Sequence, residues 1–434
     1  MRIRNGAFGV LGLAATFALS ACGGSDEESG ADPKIRLLNL SAGYTSLDLM
    51  TNLDSEDDDD DETQATGVAL ETVSGYTTLD PDDYTVKVRR TGSGSVLRSF
   101  AAEELVEDTI NTYVAYGEVG NFGALRIDDT LDAADAGDSK LSVANVSSAG
   151  ALDVYLTDAT TDLDDTTPVL SGVGAALSQL TADSGSFRLR VTASGDTADV
   201  RLDIPNFTLT DKGVASLILT STQGGMLANA IFLPQEGQPT RFNNTKARLR
   251  GAVGLANGAN ASIQVGGQSV LSAATAGVIG SRYTLLDAGS VPVTLTVNGA
   301  AVPVANLNLT AGADYTLLVW SNGNGPQTSL VNDDNRLPAV GGTKLRLLNG
   351  MSTLAAPITL SVDFSPVIEG TLSGQVSDEI EITSGTDRQF DISNTSTAQS
   401  VLTRSAITLQ SSSVYTFFMT DNGATPIGVL RRDR

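Results

Sequence analysis

The chain's only cysteine, Cys22, stands directly after Leu19-Ser20-Ala21 and before Gly23-Gly24-Ser25. A thiol among small residues at an unfolded, accessible site is a nucleophile open to covalent modification. The other concentration of reactive groups is Glu56-Asp57-Asp58-Asp59-Asp60-Asp61-Glu62, whose carboxylate oxygens are what a hard cation such as calcium takes. Asp57, Asp59 and Asp61 are the weak calcium candidates. No glycine turn or closing glutamate shapes a loop around them, and seven adjacent acids repel, extend and stay solvated. A solvated loop is therefore expected, with loose bridging of divalent cations to anionic polysaccharide lying between the two readings. Asp48 and Asp153 recur at matching places but alternate with apolar neighbours, which puts them on an exposed strand face. Among 51 acids, carboxylate pairs suited to glycoside hydrolysis arise by chance and carry no signal.

Composition excludes more than it offers. The chain has no histidine, so it holds no Ser-His-Asp or Cys-His nucleophile and no His-ligated zinc, copper or haem. One cysteine excludes an internal disulfide framework, Cys-rich zinc sites and iron–sulfur clusters. Lys and Arg total 27 against 51 Asp and Glu, and a net charge of −24 argues against nucleic acid, whose phosphates need basic neighbours. No cofactor is expected, and no enzyme activity.

The amino terminus supplies an address. Arg2 and Arg4 precede an apolar stretch from Phe8 to Leu19. A short basic region followed by such a core reads as a secretory signal, and it is too short for the roughly 20 apolar residues that span a bilayer. Its end, Leu19-Ser20-Ala21-Cys22, resembles the bacterial lipobox. That resemblance implies cleavage before Cys22, removal of residues 1–21, and a diacylglycerol thioether with a further acyl chain (palmitate or similar) on the new terminus. Each buried methylene contributes about 0.8 kcal/mol, so several chains anchor stably where one is marginal. Gly23 rather than Asp after the cysteine implies the outer membrane of the cell envelope, on its periplasmic or surface face. Residues 22–33 are small, polar and acidic, as a flexible tether should be.

The remainder of the chain is one unit written four times. Lys34-Ile35-Arg36-Leu37-Leu38-Asn39, Lys140 to Asn145, Lys246 to Gly251 and Lys344 to Asn349 start at spacings of 106, 106 and 98 residues. Leu47 to Met50, Leu152 to Tyr155, Ile263 to Val265 and Leu360 to Phe364 keep phase behind them. An alternating strand comes next in each copy: Tyr84 to Val88, Phe187 to Val191, Val293 to Val297 and Phe390 to Ile392. A final strand is expected at Tyr113 to Tyr116, Leu217 to Leu219, Tyr315 to Trp320 and Tyr415 to Met419. Apolar residues at every second position mark half-buried strands. Helical periodicity is absent, Ala101 to Asp108 being the best candidate. Gly172-Val173-Gly174 starts like a dinucleotide loop but lacks its third glycine and reads as a loop.

Repeats are thus expected at 34–131, 140–234, 246–334 and 344–434. Each has the size of an antiparallel, immunoglobulin-like β-sandwich, and the fold is all-β. Short linkers rich in Gly, Pro and acid suggest close-set but independent beads, from which one unit could be removed without unfolding the rest. Tyr315 and Tyr415, each six residues after an apolar one, have the spacing of a tyrosine corner, in which the hydroxyl bonds backbone upstream; Tyr84 and Tyr113 are further candidates.

The Lys-x-Arg-Leu-Leu-Asn opening, the Ser-rich bend, the Leu-Asp-Val-Tyr strand and the Tyr-Thr strand together resemble a bacterial envelope family, domain of unknown function 4397. The match is best over Lys140 to Tyr155 and then Lys34 to Met50, and the third copy departs at Gly251. The resemblance implies a β-sandwich and an envelope location, and it brings no catalytic residues. The functional expectation is a lipid-anchored, non-catalytic rod with a structural, spacer or adhesive role. The alternative is a carbohydrate- or polymer-binding surface lipoprotein, for which scattered aromatics such as Trp320 are the motive. Its partners are the membrane, through the anchor, and an envelope polysaccharide or protein left unspecified.

Overall fold

The computed structural model describes residues 30–53, 60–256, 258–339, 341–423 and 425–434. The signal segment 1–21, Cys22 and the tether up to residue 29 lie outside the described residues, as do Asp57 and Asp59. The described residues form strands and connections, with no helix among them.

Each repeat builds two main sheets, and repeat three adds a small one in which Gly289–Val291 pairs with Leu307–Leu309. In the first, the opening strand Lys34–Leu40 lies between the short strands Thr72–Val73 and Thr77–Thr78 on one side and Ile110–Glu118 on the other, with Asn121–Asp128 beyond. The second sheet runs Glu62–Ala69, Ser46–Leu53, Asp82–Arg90, Val96–Leu105. The same order recurs in the other three repeats. Alternate side chains of the two sheets close on a core, in repeat one Ile35, Leu37, Leu47, Leu49, Val86, Val88 and Tyr113. Each of the other repeats has its own core. The fold is all-β and sandwich-like, and the period-two runs lie where alternation placed them: Tyr84 to Val88 within Asp82–Arg90, and Phe187 to Val191 within Gly185–Ala193.

Four expectations need correction. The sandwiches are not purely antiparallel, because every opening strand pairs in parallel with the second-to-last strand of its repeat, as Lys34–Leu40 does with Ile110–Glu118. The chain leaves the first sheet, meanders through the second, and returns beside its starting strand in the original direction. Ala101 to Leu105 is not helical but completes the strand Val96–Leu105, held by pairing with Asp82–Arg90. Its helix-favouring Ala and Glu residues yield to that ladder, as weak propensities do to tertiary context. Asp363 and Phe364 leave the expected strand to form a two-residue turn, both at positive φ (49° and 69°), between Ile358–Val362 and Ser365–Thr371.

The fourth correction concerns independence. Beyond the half-buried lysine, even-numbered residues of the opening strand point away from their own core, and they too are buried. Leu38, Leu40, Val114 and Ile127 of repeat one share a cluster with Ile218, Ile231 and Leu233 of repeat two. Ala252, Leu318 and Val331 of repeat three meet Leu348 and Phe418 of repeat four in the same way. Arg336, in the linker after repeat three, reaches Glu118 of repeat one (3.0 Å). The repeats therefore pack as two face-to-face pairs that fold back on one another, neither free beads nor an extended rod. Phe418 is fully buried on the outer face of its own sandwich. Phe418→Ala in the whole chain should therefore cost about 3–5 kcal/mol in denaturant unfolding; a change near zero would restore the independent beads.

Candidate functional site

The polar chemistry of the fold collects on those outer faces. In repeat one Arg36 donates from Nε to Thr112 Oγ1 (2.7 Å), and Thr112 donates to Asp129. Arg250, Thr316 and Asp333 repeat the arrangement, and so do Arg346, Thr416 and Asp433. The aspartate follows the threonine by 17 residues in every case. Thr112 pairs with Ile127 across the hairpin, and Asp129, two residues on, returns to the same face.

This geometry revises the third repeat's register. Arg250, not Arg248, occupies the place of Arg36 and Arg346, so Arg248 rather than Lys246 corresponds to Lys344. The asparagine's place falls on Val253, and Gly251 falls on a core leucine's. A Cβ on Gly251 would come within 2.5 Å of Leu271, whose side chain fills the space instead. The asparagines of the other copies pin the bend after the opening strand. Asn145 Nδ2 donates to the Gly150 and Val173 carbonyls and its Oδ1 accepts from Ser147 N; Asn39 and Asn349 are placed alike.

Between repeats three and four the ion pairs are exchanged. Arg346 Nη2 reaches Asp333 Oδ1 of the neighbouring repeat (2.7 Å), while Arg250 Nη1 reaches Asp433 Oδ1 (2.5 Å). Tyr283 donates to Asp333 (2.7 Å) and its ring lies 4.8 Å from the Arg250 guanidinium. All four charged side chains are 3% exposed or less. Burial alone would raise the Asp333 carboxyl, but Arg346 and Arg250 together hold it below the usual range. Repeat two offers Ser142 and Gln235 where an arginine and an aspartate would stand: Ser216 pairs with Leu233, as Thr112 does with Ile127, and the residue two further on is Gln235. Arg36 accordingly turns to its own Asp129 (3.3 Å) and to the Gly237 carbonyl of repeat two (2.8 Å). Burial prevails at Asp129, which faces one guanidinium beside the Thr112 and Tyr76 hydroxyls, and its carboxyl is raised.

The residues singled out in the sequence take structural places. Asp61 is paired with Lys87 (2.7 Å) and Arg89 (3.1 Å). No group of three or more acids or cysteines able to hold a metal occurs among the described residues. Asp153 is buried rather than exposed: its carboxylate accepts from Gly172 N (2.7 Å) and Gly195 N (2.8 Å) at a bulge. Asp48 does the same for Gly67 N (2.8 Å). The bulge glycines Gly172 and Gly67 sit at positive φ, 63° and 64°, which a carboxylate acceptor helps to hold. Tyr315 and Tyr415 are tyrosine corners, their hydroxyls accepting from Thr310 N and Gln410 N, both at 3.1 Å. Tyr84 donates instead to the Asp80 carbonyl (3.0 Å), and Tyr113 meets Glu103. Trp320 is no platform. It packs between repeats three and four, donates to Ser329, and lies so close to Gly374 (φ 78°) that a Cβ there would collide with the indole.

The family model described as Domain of unknown function (DUF4397) matches residues 33–155, which span repeat one and the first strands of repeat two. No curated protein matches the chain. Among solved structures, CBMbc (family CBM26) from Eubacterium rectale Amy13K in complex with maltoheptaose aligns over 43% of this chain and 92% of its own at 11% identity and a TM-score of 0.16. The Bacillus anthracis TIE protein aligns over 93% and 76%, at 10% identity and a TM-score of 0.15. Scores this low carry no argument about function.

Acid should open the repeat three–four junction first. The lowered Asp333 contributes stability that is present above its unfolded pKa of about 3.9 and lost as pH falls through its folded value. The raised Asp129 has the opposite sign, since its protonation relieves a burial cost. Hydrogen exchange from pH 7 towards 3, corrected for intrinsic rates, should lose protection in Gly342–Asn349 and Ser413–Asn422 before Lys34–Leu40 and Ile110–Glu118. Simultaneous loss, or the reverse order, would contradict this assignment. Arg346→Met, which strands a buried carboxylate, should cost about 3–5 kcal/mol, and adding Asp333→Asn should recover part of that loss.

Proposed function

We propose that this is a lipid-anchored, non-catalytic protein of the bacterial cell envelope, held at Cys22 and serving a structural or adhesive role. The observation that carries the reading is the placement of the sole cysteine at the end of a signal-like segment, directly before an acidic tether and the repeats. The fold adds support, since its recurring polar residues serve bulges, bends, corners and junctions between repeats. With the repeats packed in pairs, the role shifts from a spacer rod to a preassembled head that follows the acidic segment after Cys22. No helix among the described residues is long and apolar enough to cross a membrane, so attachment by helix is not what the reading uses.

A second reading, a carbohydrate- or polymer-binding surface lipoprotein, is favoured by one feature. Phe364 is 80% exposed at a hairpin tip in a left-handed conformation that a phenylalanine adopts only under strain. An exposed aromatic ring is a stacking surface for a sugar. The other large exposed hydrophobics among the described residues are aliphatic, and they do not gather around it into an aromatic binding face.

Cys22→Ser should move the protein from the membrane fraction to the soluble one, and intact-mass analysis of the parent should show the acyl mass at the new terminus. A variant that still sediments with membranes, or a parent with an unmodified thiol, would end the anchor reading. A glycan array probed with residues 33–434 and with its Phe364→Ala variant separates the two roles: signals lost on substitution establish the second, and a blank array with the parent leaves the first.

A further inference from the structure

Where repeats two, three and four meet, a cavity of about 280 Å3 is lined by six arginines against three aspartates, in a chain whose net charge is −24. Arg201 comes from the strand Asp196–Leu209 of repeat two, Arg248 and Arg250 from the opening strand of repeat three, and Arg431 from the last strand of repeat four. Arg282 stands at the mouth, its side chain 77% exposed and 3.6 Å from Asp196.

The positive charge here is incompletely matched. Arg201 is 4% exposed and donates to Asp199 (2.6 Å) and the Met226 carbonyl (2.9 Å), yet its Nε has no acceptor. Arg250 uses Nε and Nη1 in the junction between repeats three and four and leaves Nη2 without a partner. Arg431 gives Nη2 to the Ser281 carbonyl (2.8 Å) and leaves its own Nε bare. Beside this wall the Arg434 guanidinium donates to the Gly225 and Asn335 carbonyls, both at 3.1 Å. Burial, reinforced by Arg201 and Arg248, brings its guanidinium down to about 10. A donor left unmade in a buried charged group is costly. Asp314 accepts from Nε and Nη2 of Arg248 (2.7 Å each) and Asp333 lies 3.8 Å from Arg250, but Arg201 Nε, Arg250 Nη2 and Arg431 Nε remain without acceptors. Acceptors carrying negative charge would complete them.

We propose that this cavity binds a small, doubly charged oxyanion: a phosphate or sulfate group, free or carried on a sugar. Guanidinium forks match the oxygen edges of such groups. The volume holds one tetrahedral anion with several waters, each of which takes about 30 Å3. An anion there joins repeats two, three and four, so its binding stabilises their mutual packing. The proposal stands apart from the lipid anchor and from any sugar stacking at Phe364.

The test uses the full-length chain in detergent, with sodium phosphate, sodium sulfate, glucose 6-phosphate and sodium chloride at matched ionic strength. Phosphate or sulfate should raise the melting temperature saturably by a few degrees, following mass action, and calorimetry should give one site. Arg282→Ser, at an exposed position where the fold is indifferent to the change, should weaken binding about tenfold, and Arg431→Gln should do likewise. Binding of glucose 6-phosphate without binding of inorganic phosphate assigns the site to a phosphorylated sugar; binding of both assigns it to the oxyanion itself. Equal melting shifts in chloride and phosphate, or unchanged affinity in both arginine variants, overturn the proposal.

Discussion

An opening strand buried on both faces is the constraint on which the rest of the architecture depends. One face of Lys34–Leu40, and of its three counterparts, completes its own sandwich core; the other must find cover outside the repeat. A 100-residue sandwich that left such a face in water would expose a continuous apolar patch around a buried arginine. Pairing the repeats face to face covers it, and apolar burial at about 25 cal/mol per Å2 supplies the driving force. The guanidinium at the centre then fixes which faces can pair, because a charge removed from water needs a partner on the opposing surface.

The two pairs solve that problem differently. Repeats three and four each bring an arginine and an aspartate and exchange them, so that four buried charges sum to zero. Repeats one and two have a single arginine to place, and it is satisfied by its own aspartate, a tyrosine ring at 4.4 Å and a neighbouring carbonyl. Replacing one set of charges by Ser142 and Gln235 therefore leaves a junction that is less charged and less sensitive to acid. The same comparison explains why equivalent aspartates are shifted in opposite directions: Asp333 faces two guanidinium groups and Asp129 only one.

Much of the strand pattern was legible because period-two alternation survives in each repeat, and the tyrosine corners were legible because Tyr315 and Tyr415 keep a fixed distance from the residue before the turn. The third repeat's register was not. Arg248 and Arg250 lie two apart, so both face the same way, and a slip of two preserves every inward and outward position. Alternation is blind to that error, and only the pairing of Arg250 with Thr316 exposes it. The triads were equally hidden. Their threonine and aspartate are 17 residues apart on paired strands, a constant spacing that three copies display but whose meaning depends on hairpin register. Asp48 and Asp153 looked like surface residues because alternation assigns a face and says nothing about bulges that fold backbone amides onto it.

Four repeats with one plan need not have one energetic role, and their deviations show where the assembly differs from a stack of equals. A departure inside a core is made good within the same repeat, as Leu271 fills the space that Gly251 leaves, since each sandwich must close by itself. A departure on an outer face is made good by a neighbour. Ser142 and Gln235 of repeat two give up the buried charges, and Arg36 of repeat one turns to its own aspartate and to the Gly237 carbonyl. That division makes the order of the repeats specific. Exchanging repeats two and four would take Asp433 from Arg250 and Asp333 from Arg346, and would deprive Arg36 of the Gly237 carbonyl. Every buried guanidinium of the two junctions would then lose the partner that lies across from it. The chain's order is thus written in its outer faces, while its fold is written in its inner ones.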